Sequence, residues 1–404
     1  MTAALALLGC ASPGMPPGGP EDPEPPVLVA TAPADSSVRV QARRVVFMFD
    51  EVVSERPQGA TELADLFIIS PREGDPEVDW AREEVRVEPR RGFRPNTVYT
   101  VTLLPGLADL RGNVRREGAT VVFSTGPDIP DTRLAGTVIE WESGRPIANA
   151  WVEVVAVDDS TMYVSRADSA GRFELRHLPP DVYMVRGHAD PNGNRTQDRR
   201  EAYDSTRVTV QDSAIVELLA FVHDSVGPGI ERIAVSDSVT VRVTFDEPID
   251  VDQTLDVSNF VLLAADSTAV GIAEVMTARA WEAKEKARLA AEDSARVAAE
   301  LAAADSAADT VAVPAAPAPA DSVVTDTPSP PVTRPLPTTE VVLRLARPLA
   351  PDSAYRLRAI AIRDLQSRLR TSDRVFEAPP VRRTPSAADS LAVPAPLEPP
   401  SPPT

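Results

Sequence analysis

VVFMFDEVVS at residues 45–54 returns near the other end of the chain as VRVTFDEPID at 241–250. In the first copy Val45, Phe47 and Phe49 recur at period two, the spacing of a strand with one buried face, and Asp50-Glu51 then breaks the pattern as a turn. Phe245-Asp246-Glu247 matches Phe49-Asp50-Glu51. Working outward, LFIISP (66–71) has its counterpart in NFVLLAADS (259–267). VRVEPRRGFRPNTVYTVTLLPGLADLRGN (85–113) has its counterpart in VVLRLARPLAPDSAYRLRAIAIRDLQSR (341–368), where Ala350-Pro351-Asp352-Ser353-Ala354-Tyr355 stands for Arg94-Pro95-Asn96-Thr97-Val98-Tyr99. VVFSTGP (121–127) closes the first copy, and RVFEAPP (374–380) closes the second more loosely. Three matched blocks in one order are an internal duplication. Short alternating strands with turn signals every eight to twelve residues read as a β-sandwich, so the duplication predicts two of them.

PPVLVATAPADSSVRVQARRVVFMFDEVV, the Pro-Asn-Thr-x-Tyr turn and the closing Phe-Ser-Thr resemble the bacterial Ig-like domain of S-layer-protein type. The resemblance covers most of 27–126 and is looser over 226–378. It implies a seven-stranded sandwich of cell-surface proteins with no catalytic residues of its own.

The stretch between the copies is similar to a second family, the carboxypeptidase regulatory-like domain. The residues that carry this are Gly136, Val138, the run Ser143-Gly144-Arg145-Pro146-Ile147-Ala148-Asn149-Ala150, Val152, Asp168, Gly171, Phe173, Leu178-Pro179 and Tyr183. Ser143, Asn149 and Asp181 depart from the family pattern, all with turn-compatible residues. The resemblance implies a transthyretin-like sandwich over 131–223 without peptidase zinc ligands; His177, His188 and His223 have no Glu three residues on.

The fold class expected is therefore all-β: three consecutive β-sandwich domains, Ig-like (27–126), transthyretin-like (131–223) and Ig-like (226–378). The last is interrupted by 278–338. Within that insert, 277–309 is rich in Ala, Glu and Arg with pairs such as Glu282–Lys286 and Glu292–Arg296, which favour a solvated helix used as a free spacer. Residues 310–338 and the tail 379–404 are Pro-rich and expected to be disordered.

The chain of 404 residues has 41 prolines, 5% aromatics and a formal charge of −19. So acidic a surface repels phosphate backbones, which argues against nucleic acid as a partner. The lone cysteine, Cys10, excludes internal disulfides and Cys-based zinc. It follows Leu7-Leu8-Gly9 and resembles a bacterial lipobox, in which the cysteine is acylated and joins the protein to the membrane through a lipid anchor. Residues 1–10 then read as a truncated lipoprotein signal peptide. Its apolar stretch is short and lacks a basic start, so the true start is expected upstream. Residues 11–26, ASPGMPPGGPEDPEPP, read as a disordered tether.

Catalytic patterns are missing: there is no Gly-x-Ser-x-Gly, His-Glu-x-x-His, Gly-Lys-Ser/Thr or Gly-x-Gly-x-x-Gly. The acids beside Phe49 and Phe245 lie in the shared family turn, and a structural role is the expectation for them. No cofactor is expected with certainty. Calcium is the candidate, because Asp190, Asn192, Asn194, the Thr196 carbonyl, Asp198 and Glu201 occupy positions 1, 3, 5, 7, 9 and 12 of a calcium loop. Arg195 stands where such loops carry glycine, and the same residues are ordinary turn formers, so a polar hairpin tip is the other reading. Trp151 alternates out of phase with Val152 and Val154, and Trp141 lies on a nearby turn. As two exposed aromatics they would form a platform for a sugar ring; filling a gap on the sheet is the commoner use. The function expected is a non-catalytic, lipid-anchored protein of the outer membrane, periplasmic or surface-exposed, acting as a structural or adhesive spacer or a protein-binding scaffold. A carbohydrate-binding surface lipoprotein is the alternative.

Overall fold

In the computed structural model the described residues are 22–305 and 334–380. Cys10, most of the 11–26 tether, the stretch 306–333 and the tail from 381 lie outside them. The chain divides into two compact units, one formed by 1–139 with 146–220 and the other by 140–145 with 221–404.

The first sandwich comprises β1 (Leu28–Ala32), β2 (Val45–Phe49), β3 (Phe67–Ser70), β4 (Glu77–Ala81), β5 (Glu84–Glu88), β6 (Val98–Leu103) and β7 (Ala119–Ser124). They form two sheets, β1-β2-β5-β4 and β3-β6-β7. The period-two residues do what their spacing requires. Val45, Phe47 and Phe49 point inward and meet Phe67, Val85, Val87, Tyr99, Val101 and Phe123. Each such buried side chain stabilises by roughly 1.5–3 kcal/mol over its exposed state. The Phe47 and Phe67 rings lie 5.3 Å apart at an interplanar angle of 55°.

The second sandwich comprises β8 (Arg133–Glu140), β9 (Arg145–Pro146), β10 (Trp151–Ala156), β11 (Met162–Arg166), β12 (Arg172–Arg176), β13 (Asp181–His188), β14 (Ala202–Val210) and β15 (Ser213–Val222). One continuous ladder runs β11-β10-β13-β14-β15-β8-β12, with β9 on β8. It encloses Leu134, Val138, Val152, Val154, Phe173, Tyr183, Val185 and Leu218.

The third sandwich comprises β16 (Ile230–Asp237), β17 (Thr240–Ile249), β18 (Phe260–Ala264), β19 (Ala269–Val270), β20 (Ile272–Thr277), β21 (Thr338–Leu345), β22 (Ala354–Arg363) and β23 (Leu369–Glu377). Its sheets, β16-β17-β21-β20 and β19-β18-β22-β23, repeat the strand order of the first sandwich with β19 added. The duplication read in the sequence is thus a duplication of topology, and the chain is all-β with three sandwiches.

The recurring motif residues are turn-holders. Asp50 accepts the Val27 N–H at 2.8 Å and Asp246 accepts that of Gly229 at 2.6 Å, so each fastens the entry of a first strand. The Tyr99 hydroxyl accepts the Arg94 N–H at 2.7 Å, and the Tyr355 hydroxyl accepts the Ala350 N–H at 2.8 Å. Asp109 accepts from the N–H groups of Arg111 and Asn113, and Asp364 from those of Gln366 and Arg368. A main-chain N–H at a turn has no strand partner, and these side chains supply the acceptor, which is why they recur.

The segment 72–84 of the first sandwich contains β4, which pairs with β5 through a tight turn at Arg82-Glu83. The insert of the third sandwich stands in place of that hairpin turn, between paired β20 and β21. The expectation of a free helical spacer needs correction, because the helix is not wholly free. α1 (Ala278–Asp305) is mostly exposed, but Ala278 is buried and Trp281 half-buried. Lys284 Nζ meets both Glu274 carboxylate oxygens, at 2.7 and 2.8 Å, and Arg279 donates to the Leu336 carbonyl at 2.9 Å. The first two turns are tied to the sheet by β20, and the charged pairs beyond them, such as Arg288 with Glu285 and Glu292, face solvent. Among the described residues no helix is long and apolar enough to cross a membrane.

Candidate functional site

In each of the first and third sandwiches three carboxylates converge: Asp22, Glu51 and Asp109 in the first, and Asp224, Glu247 and Asp364 in the third. Within each trio the oxygens lie within 4.8 Å of one another. The positions correspond: one acid precedes the first strand, one follows the Phe-Asp pair, and one holds the turn after β6 or β22. Sequence reading noticed Glu51 and Glu247 and assigned them to the turn. It missed their partners, although GLADLRGN and AIRDLQSR align Asp109 with Asp364.

Crowding raises one proton affinity in each trio. Burial, then the charges of Asp109 and Asp22, raises the Glu51 carboxyl above the ordinary range. Burial, then a hydrogen bond and the charge from Asp224, pushes Glu247 up to about 8. Asp224 is lowered by that same hydrogen bond from Glu247. Arg368 offsets part of this charge, with Nε 3.0 Å from Asp364 and Nη1 3.5 Å from Asp224. All donors are carboxylate oxygens, the chemistry of hard cations, and among the described residues these are the two places where three acid or imidazole ligand atoms converge.

The loop 190–201 is closed by its own hydrogen bonds. Asp190 Oδ2 accepts the Arg195 N–H at 3.1 Å, Asn192 Oδ1 that of Asn194 at 3.0 Å, and Asn194 Oδ1 that of Thr196 at 2.8 Å. Asp198 Oδ2 accepts from the amide nitrogens of Asn192 and Asn194, and Glu201 Oε2 accepts the Asp198 N–H at 2.8 Å. Asp190 Oδ1 is buried with no hydrogen-bond partner. Arg195, at the position where calcium loops carry glycine, takes the left-handed conformation glycine would supply, with φ 57°. The loop's three acids do not converge as the trios do.

The tryptophans are not a platform. Trp151 is 2% and Trp141 5% exposed. Trp151 does stand on the outward side of β10, as its alternation predicts. That side, however, is covered within the first unit by Ile68 and Val164, and the guanidinium groups of Arg72 and Arg195 lie over the indole, each 5.5 Å from its centre. Trp141 packs on Phe221 under Arg334 and donates from Nε1 to the Pro335 carbonyl at 3.0 Å. Strand periodicity reports which way a side chain points, not what covers that face.

Between the outer face of β3-β6-β7 and the β11–β12 end of the second sandwich lies a cleft of about 300 Å³. Thr100, Thr102 and Thr120 line one wall, and Ser165, Glu174 and Leu175 the other. The rings lining it are those of Tyr163, whose side chain packs in the domain core, and His177, whose Nδ1 is hydrogen-bonded to the Pro130 carbonyl.

Comparison with known proteins bears on two of the three sandwiches. Residues 22–125 match the model of the bacterial Ig-like domain, and residues 133–218 match that of the carboxypeptidase regulatory-like domain. Neither is a catalytic family. No curated protein matches the chain. Among solved structures, the N-terminal part of the bacterial S-layer protein SbsC is 14% identical with a TM-score of 0.19, covering 50% of this chain and 44% of that one. The major pilin subunit of Bacillus cereus is 10% identical with a TM-score of 0.18, covering 49% and 71%. An L,D-transpeptidase from Mycobacterium smegmatis is 14% identical with a TM-score of 0.18, covering 46% and 77%. The chain thus spans less than half of the S-layer fragment, and likenesses of this degree carry no functional argument. The comparisons establish that the chain carries a bacterial Ig-like domain followed by a carboxypeptidase regulatory-like domain.

Proposed function

We propose that the chain is a non-catalytic, lipid-anchored protein of the cell envelope, a structural or adhesive spacer or protein-binding scaffold held to the outer membrane through Cys10. The observation that supports it is the employment of the motif residues. Asp50, Asp246, Tyr99, Tyr355, Asp109 and Asp364 are engaged in holding turns, and none is paired as a nucleophile with a base. Expressed with its native upstream region, the protein should incorporate labelled palmitate and partition into detergent, and Cys10→Ser should do neither. Equal labelling of the two would remove the anchor. The carbohydrate-binding alternative loses its basis with the burial of Trp141 and Trp151.

Weak calcium binding by 190–201 is a second proposal, favoured by the buried, unpartnered Asp190 Oδ1 at the first ligand position. Binding requires the Asn192 and Asn194 amides to turn from Asp198. With a millimolar Kd, calcium at ten times that value should stabilise the second sandwich by about 1.4 kcal/mol. The matching rise in melting temperature should vanish in Asp190→Ala/Glu201→Ala. A wild-type melt indifferent to calcium and chelator would leave only a polar turn.

A further inference from the structure

We propose that the loop 190–201 is a strap which, through Arg195, locks the first sandwich onto the second so that the two move as one body. The inference does not depend on how the protein is anchored, nor on calcium.

The contact is a two-way clasp. From the second sandwich, the Arg195 guanidinium donates to two main-chain carbonyls of the first, Phe67 at 3.0 Å and Asp65. From the first, Arg72 Nη1 donates back to the Arg195 carbonyl at 2.9 Å, and Arg72 N–H donates to the Met162 carbonyl at 2.7 Å. The two guanidinium groups share the Trp151 indole, which forms a small apolar cluster with Ile68 and Val164. At its margin the Ser70 hydroxyl accepts the Val164 N–H at 3.0 Å. Both sandwiches fall in one compact unit.

The strap's internal hydrogen bonds have a purpose on this account. An arginine at φ 57° is held against its own preference, and the Asp190 carboxylate accepting its N–H holds it there. Asn194 and Thr196 close the backbone on the other side. A loop so braced presents the guanidinium at fixed position, and the planar fork reaches two carbonyls at once, which a lysine ammonium on a flexible stem does not reproduce. The arginine that departs from a calcium loop's glycine is therefore the working residue of this one. Released, the first sandwich would swing away from β11, and the threonine-lined cleft would lose its fixed width.

Hydrogen–deuterium exchange on the full chain in chelator tests this. In Arg195→Ala, amides of 66–72 and 160–166 should exchange roughly tenfold faster, while those of β2 and β13 keep their wild-type rates. Arg195→Lys should show most of the same loss, since charge is kept and the fork is not. Unchanged exchange at 66–72 and 160–166 overturns the proposal. So does an equal rise in β2 and β13, because Arg195 would then stabilise the sandwiches rather than their joint.

Discussion

Glu247→Gln should melt at nearly the same temperature as the wild-type protein at pH 5 and several degrees higher at pH 9. The wild-type Glu247 carboxyl, held among Asp224, Asp246 and Asp364, is pushed up to about 8 in the folded state by burial and then by Asp224. Its ordinary value in an unfolded chain is near 4.5. A raised folded value means that the native state holds the proton more tightly. Its contribution is whole below about pH 4.5 and is lost progressively as pH rises toward 8. Glutamine imitates the protonated form and has nothing to lose. Two neighbours titrate with the opposite sign. Asp224, lowered, completes its contribution in the acid range, and His223, lowered by burial and then by Arg368, loses stability as pH falls through 6.5. His223 is common to the two proteins, and Asp224, whose lowering depends first on Glu247, titrates on the acid side of this range. The change in their melting-temperature difference between pH 5 and 9 therefore reports on Glu247. Because the carboxyl is partly solvated, screening reduces the effect to the order of 1–2 kcal/mol, roughly 4–10 °C for a domain of this size. A difference that stays flat from pH 5 to 9, measured by calorimetry on the full chain, would show that the trio does not share its charge in this way.

Gly136→Ala should be the most damaging small substitution in the second sandwich. A methyl group built there would lie 2.3 Å from the Val216 carbonyl oxygen and 2.7 and 2.8 Å from the Phe173 ring. Gly136 sits opposite Phe173 in the β8–β12 ladder, so neither neighbour can yield without moving a strand or emptying the core. Overpacking costs about 1–3 kcal/mol where side chains can adjust, and a backbone oxygen adjusts least, so a loss near 3 kcal/mol is expected. That is a fall on the order of 15 °C. Gly193→Ala makes the control. Its φ of 71° carries a conformational cost of about 1 kcal/mol, but no atom lies within 4 Å of the added carbon. If Gly136→Ala melts no lower than Gly193→Ala, close packing is not why glycine stands at the head of this motif.

Local periodicity carried most of the architecture. Val45-Phe47-Phe49 and Val241-Val243-Phe245 each declare a strand and a face, and the repeat of whole blocks declares the shared topology. β4 escaped notice because EVDWA offers only half-buried apolar residues, Val78, Trp80 and Ala81, broken by charges, and an edge strand needs no more. The acid trios were illegible for a different reason. Each gathers residues from three distant segments, and a carboxylate that folds its own turn looks finished without its neighbours. Trp151 shows the same limit: its direction was written in the alternation of β10, while its burial depends on Ile68 and Arg72 of another domain.

The first and third sandwiches share one topology but close it differently. In the first, Ala81 pairs with Glu84, so β4 and β5 zip from a tight turn. In the third, the corresponding strands join where Thr277 pairs with Val341. Going from a two-residue connection to one of some sixty spans about five doublings of loop length, or roughly 3 kcal/mol of closure entropy. The first copy can complete its central hairpin as soon as residue 88 has been made. The third must keep the edge of β17 open until β21 arrives, with its early strands exposed meanwhile. The duplication produced two equivalent end states, and the insertion set them on different clocks.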